Sequence, residues 1–175
     1  MADRRPILVA LTGLPATRKS AVAEAMARAL PCPVYSVDPL EAVLLRAGIT
    51  RAHRSDHAAY DLAAFCAEDQ LQRGQSAIVD SVSALRHLQV WWAQIARRRS
   101  ASFRLIPTVC SDPAVDRARL EGRQRGTEGF PFEPTWTSVL DRPYETPTLE
   151  HLRLDAIDDL QGNVDHALAY VAGRS

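Results

Sequence analysis

Gly13, Lys19 and Ser20 stand at the spacing G-x-x-x-x-G-K-[ST]. That spacing describes a loop that wraps phosphate. Glycine lets successive backbone N–H groups curl round an anion, the lysine reaches its oxygens, and the serine or threonine hydroxyl holds Mg²⁺. The stretch GLPATRKS departs from the pattern at Arg18, where the second glycine belongs, and at Ala16, where such loops often carry another. It reads as a degenerate version of the motif. Of the 21 basic residues, 20 are arginine and Lys19 is the only lysine. In so arginine-biased a chain the single exception falls where a compact, three-donor ammonium suits phosphate oxygens.

Two acids follow at comparable positions. Asp38 comes after the apolar stretch Pro33 to Val37, and Asp80 ends SAIVD. An acid at a strand end that faces a hydroxyl substrate can take its proton, which suits Asp38 as a general base; capping the helix that starts at Pro39 is the structural alternative. Asp80 fits either a carboxylate acting on Mg²⁺ or its water, or a turn residue. Arg117, Arg119, Arg123 and Arg125 form the densest basic cluster, followed by breaks at Gly126, Gly129, Pro131 and Pro134. This is the composition of a mobile, lid-like flap over about 117–135 that would close on phosphates, or of a solvated helix end. His53 and His57 lie four apart on a polar stretch without a completing Cys or carboxylate pattern, which reads as substrate contact or plain surface. Cys32, Cys66 and Cys110 have neither disulfide nor zinc spacing and read as small buried hydrophobes.

These residues need a frame to bring them together. Ile7 to Leu11 reads as a strand and Ser20 to Leu30 as an amphipathic helix stopped by Pro31 and Pro33. A second strand spans Pro33 to Val37, and Asp38-Pro39 opens a helix that Gly48 ends. A longer helix runs from Ser55 or Asp56 to about Arg73, with Gly74 as its stop. Ser76 to Asp80 is a third strand, about Ala84 to Arg99 a helix, and Ser102 to Val109 a fourth strand. Asp112-Pro113 opens a fifth helix. Glu150 to Ile157 reads as a fifth strand and Gln161 to Ala172 as a closing helix. Of the adjacent Trp91 and Trp92, only one can face the core fully. Strands alternating with helices predict an α/β fold with a parallel sheet covered on both faces, and ligands then bind beyond the carboxyl ends of the strands.

At 175 residues and 46% hydrophobic content the chain suits one domain, 1–175. A formal net charge of zero gives no broad electrostatic case for nucleic acid, and the apolar runs are too short to span a membrane. A cytoplasmic protein is the default expectation, as monomer or homodimer.

GLPATRKS after a strand, SVDPLEAVLLRAGI, AIVDSV, VCSDPAVDRARLEGRQRG and GFPFEPTW, in that order, resemble the small bacterial P-loop kinases of the AAA-type ATPase group, akin to chloramphenicol phosphotransferase and zeta-toxin kinases. The resemblance covers about Ile7 to Tyr144. It implies a three-layer P-loop kinase fold whose five-stranded parallel sheet has the order 2-3-1-4-5. It also implies ATP and Mg²⁺ at Lys19 and Ser20 and acceptor activation by Asp38. It implies lid arginines at Arg119, Arg123 and Arg125 as well. The candidate nucleotide-binding set is then Gly13, Thr17, Arg18, Lys19, Ser20, Arg119 and Arg125, with Arg123 joining Asp38 and Lys19 in catalysis and Ser20 and Asp80 on the metal; Arg18, a departure from the pattern, adds a second cation suited to phosphate or to the carboxylate of a different substrate. Two readings of function follow. One is ATP-dependent phosphotransfer to a hydroxyl of a small metabolite or antibiotic. The other is a kinase-derived protein that no longer uses ATP, repurposed as a non-kinase enzyme in natural-product biosynthesis or as a binding module.

Overall fold

A computed structural model describes residues 5–122, 132 and 134–173. Three strands and their partners build the centre: β1 (Ile7–Thr12), β3 (Ala77–Asp80) and β4 (Ser102–Val109), flanked by β2 (Val34–Ser36) and β5 (Leu154–Asp155). All pairings are parallel and the order is β2-β3-β1-β4-β5. The helices are α1 (Lys19–Ala29), α2 (Val37–Arg46), α3 (Ser55–Gln72), α4 (Arg86–Arg98), α5 (Pro113–Glu121), α6 (Trp136–Leu140) and α7 (Leu160–Val171), with a 3₁₀ turn over Arg51–His53.

Alternation along β1 sorts the core into two layers. Leu8 and Ala10 face α3 and α4, packing with Ala63, Ala67, Trp92 and Ile95. Val9 and Leu11 face α1 and α7, packing with Val22, Met26, Ala167 and Val171. The central strands are buried on both faces, as a parallel sheet between helical layers requires. Trp92 is fully buried and Trp91 half-buried against it, so the adjacent pair divides as expected. Each parallel crossover returns the chain to the same edge, so the loops after β1, β2, β3 and β4 converge at the carboxyl end of the sheet.

Four local expectations need correction. β2 ends at Ser36 and α2 begins at Val37, so Asp38 lies in the first helical turn and does not cap it. Ser36 holds the capping position, but its hydroxyl serves another partner. Pro39 remains compatible with the first turn, where no N–H is needed. The fifth strand shrinks to Leu154–Asp155 plus a bridge between Leu105 and His151, because the Asp155 carboxylate folds back on the backbone N–H groups of Ser111 and Ile157. α6 is a helix with no sequence forecast, closed at its start by a reciprocal Thr135–Ser138 capping box. The three cysteines are half-buried, not buried. The opening of α5 is as expected: the Asp112 carboxylate accepts from the N–H groups of Ala114 and Val115, with Pro113 in the first turn.

Candidate functional site

The loop between β1 and α1 is fixed from below by β4 and from the side by the β3–α4 connection. Gly13 donates its N–H to the Val82 carbonyl at 3.1 Å. Its φ of 151° and its surroundings exclude a side chain: a Cβ there would stand 2.4 Å from Thr108 Oγ1 and 2.5 Å from the Thr108 carbonyl oxygen. Thr17 donates to the Leu14 carbonyl and shares a hydrogen bond with Thr108 Oγ1, both at 2.8 Å, while Thr108 donates to the Thr12 carbonyl. The Thr17 hydroxyl is therefore spent on holding the loop to β4.

Ala16 and Arg18, the two residues where the sequence motif leads one to expect glycine, have φ of 71° and 61°. The loop keeps a left-handed backbone at both despite their side chains, at a cost of about 1–2 kcal/mol each. Arg18 immediately precedes α1, whose first turn contains no acidic residue and has no side-chain cap. The first intrahelical bond runs from Val22 N to the Arg18 carbonyl at 3.1 Å, so the N–H groups of Lys19, Ser20 and Ala21 emerge without helical acceptors. A loop of this curvature leading into an uncapped helix N-terminus offers N–H donors and a positive dipole end suited to an anion.

Lys19 is buried, and its Nζ lies 3.8 Å from Asp80 Oδ1, with the two side chains 9% and 4% exposed. Asp80 Oδ2 accepts from the Ser36 hydroxyl at 3.1 Å, whereas Oδ1 has no hydrogen-bond partner among the described residues. A buried carboxylate oxygen with no donor fits a cation or its bound water. Lys19 lines a cleft of ≈ 460 Å³, walled by residues 16–21 on one side and by Ala118, Arg119 and Gly122 on the other, while Asp80 is not among its walls. Ser20 and Arg119 line it. Arg119 reaches the Cys110 thiol at 3.9 Å. Arg123 and Arg125 lie outside the described residues, as does most of the lid-like segment.

Asp38 stands on α2, half-buried, and is not among the cleft's walls. Its neighbourhood is a polar shelf that the sequence did not advertise. Glu41, one helical turn on, is buried and accepts two hydrogen bonds from Arg51, at 2.9 and 3.2 Å, and one from Ser55 Oγ at 3.1 Å. The Glu41 hydrogen bond holds the Arg51 guanidinium above its ordinary pKa, with the Asp38 charge contributing. The guanidinium carbon of Arg51 also sits 3.5 Å from the Phe132 ring centroid. Burial pushes the Tyr60 phenol up, opposed by hydrogen bonds from Ser83 and Ser81 and reinforced by the Asp38 charge. Tyr60 Oη accepts the Ser83 N–H at 3.1 Å, and Ser83 Oγ accepts from Trp92 Nε1 at 3.0 Å. His53 meets Thr50 and His57 meets Arg54. Among the described residues no group of His, Cys, Asp and Glu is arranged to hold a metal by itself. The structure thus joins Lys19 to Asp80 and places Lys19, Ser20, Arg18 and Arg119 round one cleft, whereas Asp80 and Asp38 are not among its walls.

Residues 8–163 match the model of the family described as AAA domain (AAA_33). No curated protein matches the chain. Among solved structures, a candidate kinase of Chloroflexus aurantiacus superposes with a TM-score of 0.78 at 23% identity, over 94% of this chain and 98% of that one. The Mycobacterium tuberculosis APS kinase CysC, in complex with AMPPNP and APS, gives 0.73 at 19% identity, over 97% and 99%. A gluconokinase from Sinorhizobium meliloti gives 0.65 at 17%, over 97% and 93%. At these identities the likeness is one of fold, a P-loop kinase fold. No helix among the described residues is long and apolar enough to cross a membrane.

Proposed function

Because this chain belongs to the AAA domain family, whose match spans residues 8–163, we propose that it transfers a phosphoryl group from ATP to a hydroxyl of a small molecule. The observation that carries the reading is the buried Lys19–Asp80 pair, whose Lys19 lines a cleft walled by a phosphate-type loop and an uncapped helix start. APS kinase and gluconokinase, two fold neighbours, bear names of enzymes with small-molecule acceptors, which supports the acceptor class.

In this reading the backbone N–H groups of Lys19, Ser20 and Ala21 cradle the phosphates, with Thr17 keeping the loop in shape. Lys19 neutralises their charge, and Arg119 contributes from α5. Ser20 and the Asp80 oxygen that lacks a hydrogen-bond donor would hold Mg²⁺, which would supply charge neutralisation on the phosphate oxygens. Asp38 takes the proton of the acceptor hydroxyl, and the Glu41–Arg51 pair beneath it keeps α2 and the 3₁₀ turn in register. Arg123 and Arg125, outside the described residues, retain their sequence-based assignment to the migrating group. The test is a screen of hydroxylated metabolites and antibiotics for ATP-dependent phosphorylation, with Asp38→Asn beside the parent. Asp38→Asn is expected to lose at least a hundredfold in turnover at unchanged melting temperature. Equal turnover in the variant removes Asp38 from the chemistry.

A second reading has its own observation: Ala16 and Arg18 occupy left-handed positions that glycine fills without strain. A site derived from a kinase and released from ATP would tolerate such residues. Turnover of a candidate metabolite without nucleotide supports this reading, and strict ATP dependence excludes it.

A further inference from the structure

The two strained residues of the loop differ in what they bring to it. Ala16 brings a methyl group, whereas Arg18 brings the outermost cation of the cleft. Lys19 lies buried against Asp80, so its charge is already matched. Arg18 is exposed and, among the described residues, forms no ion pair. Its Nη1 lies 3.5 Å from the carbonyl oxygen of Asp158, in the connection between β5 and α7, at the outer limit of a hydrogen bond. One weak contact leaves most of the five guanidinium donors uncommitted. Backbone strain at a binding loop is retained where the side chain it presents has work to do.

We propose that Arg18 is a donor-phosphate ligand. On this proposal its guanidinium leaves the Asp158 carbonyl and forks onto phosphate oxygens of the bound nucleotide, adding a charge-assisted, two-point contact beyond the one Lys19 supplies. It rests on the reading that the cleft takes a nucleotide, and it accounts for why a glycine position holds an arginine at the cost of a left-handed backbone. Two opposite effects follow from one substitution. Arg18→Gly relieves the backbone and removes the ligand, so the protein becomes more stable and binds more weakly. Ala16→Gly relieves the backbone alone.

The experiment is calorimetric titration of the full chain with Mg·ATP and, separately, with inorganic tripolyphosphate, alongside thermal melts of the parent, Ala16→Gly, Arg18→Gly and Arg18→Lys. Both glycine variants are expected to melt about 2–4 °C higher. Ala16→Gly is read by its melt, as the measure of strain relief without a lost cation. Arg18→Gly loses about tenfold or more for both ligands, and Arg18→Lys recovers part of that loss through its point charge. Equal or tighter Mg·ATP binding by Arg18→Gly overturns the proposal while leaving the phosphotransferase reading intact. So does a loss confined to ATP with tripolyphosphate unchanged, since the guanidinium then serves the nucleoside. A parent that binds neither ligand overturns both readings at once.

Discussion

Replacing Asp80 by asparagine separates the structural from the ligand-binding role of the Lys19–Asp80 pair. The substitution keeps the side-chain shape and an oxygen for the Ser36 hydroxyl, but strands the Lys19 ammonium 3.8 Å away with only 9% of its side chain exposed. With an effective dielectric of about 20, two unit charges at that distance attract by about 4 kcal/mol, and removing one member of a buried pair typically costs about 3–5 kcal/mol. Allowing for relaxation of the flexible lysine toward the cleft, a loss of about 3 kcal/mol is expected. In a chain of this size that is a fall of roughly 6–12 °C in melting temperature. Ligand binding should change in the other sense. Asp80 places a negative charge where phosphate would arrive, so the parent should require Mg²⁺ to bind ATP well. In Asp80→Asn the repulsion is gone, and ATP should bind with little dependence on Mg²⁺ and restore much of the lost stability by satisfying Lys19. Differential scanning calorimetry with and without ATP, each with Mg²⁺ or with a chelator, reads both effects. A variant that melts within about 2 °C of the parent and keeps its Mg²⁺ requirement would refute the reasoning.

Two further outcomes follow from geometry already described. Gly13→Ala drives a Cβ against Thr108 Oγ1 and the Thr108 carbonyl at 2.4 and 2.5 Å, and β4 cannot retreat because it is paired on both sides. A loss of about 2–4 kcal/mol is expected, seen as a lower denaturant midpoint, and a parent-like midpoint would mean the loop sits differently on β4. Asp116, in the first turn of α5, is buried with Oδ1 unpartnered, and burial pushes its carboxyl pKa up, opposed by Arg119. A raised acid is more protonated in the folded than in the unfolded chain between the two pKa values, so stability falls as pH rises through that window. Asp116→Asn is therefore expected to melt higher than the parent at pH 7, with the gain shrinking as pH falls toward the model-peptide value of 3.8; a gain independent of pH, or a loss at pH 7, contradicts the assignment.

What the sequence disclosed and what it withheld divide along physical lines. The apolar runs of β1, β3 and β4 have centres buried on both faces, so composition alone marks them, and Pro6 and Gly13 bound the first. Lys19 and Asp80 stand next to those strand ends, and chain topology brings them together without further instruction. By contrast, the Glu41–Arg51–Ser55 cluster joins residues ten and fourteen positions apart across a turn, and periodicity counts Glu41 as one more polar helix residue. Ser36 looks like a helix cap and instead spends its hydroxyl on Asp80, because a buried carboxylate is the better acceptor. α6, with five residues, is too short for any period to show, and its only trace is the Thr135–Ser138 pairing. The left-handed backbone at Ala16 and Arg18 runs against their intrinsic preference and is set by the loop's attachment to β4 and Val82.

The central claim is that Lys19 faces the phosphates of a bound nucleotide. Titrating the parent and Lys19→Met with Mg·ATP in the calorimeter tests it most directly. Saturable binding by the parent below millimolar ATP, weakened by about a hundredfold in a Lys19→Met protein that still folds, is the predicted result. No heat from the parent at millimolar ATP, or equal affinity in the two proteins, would contradict it.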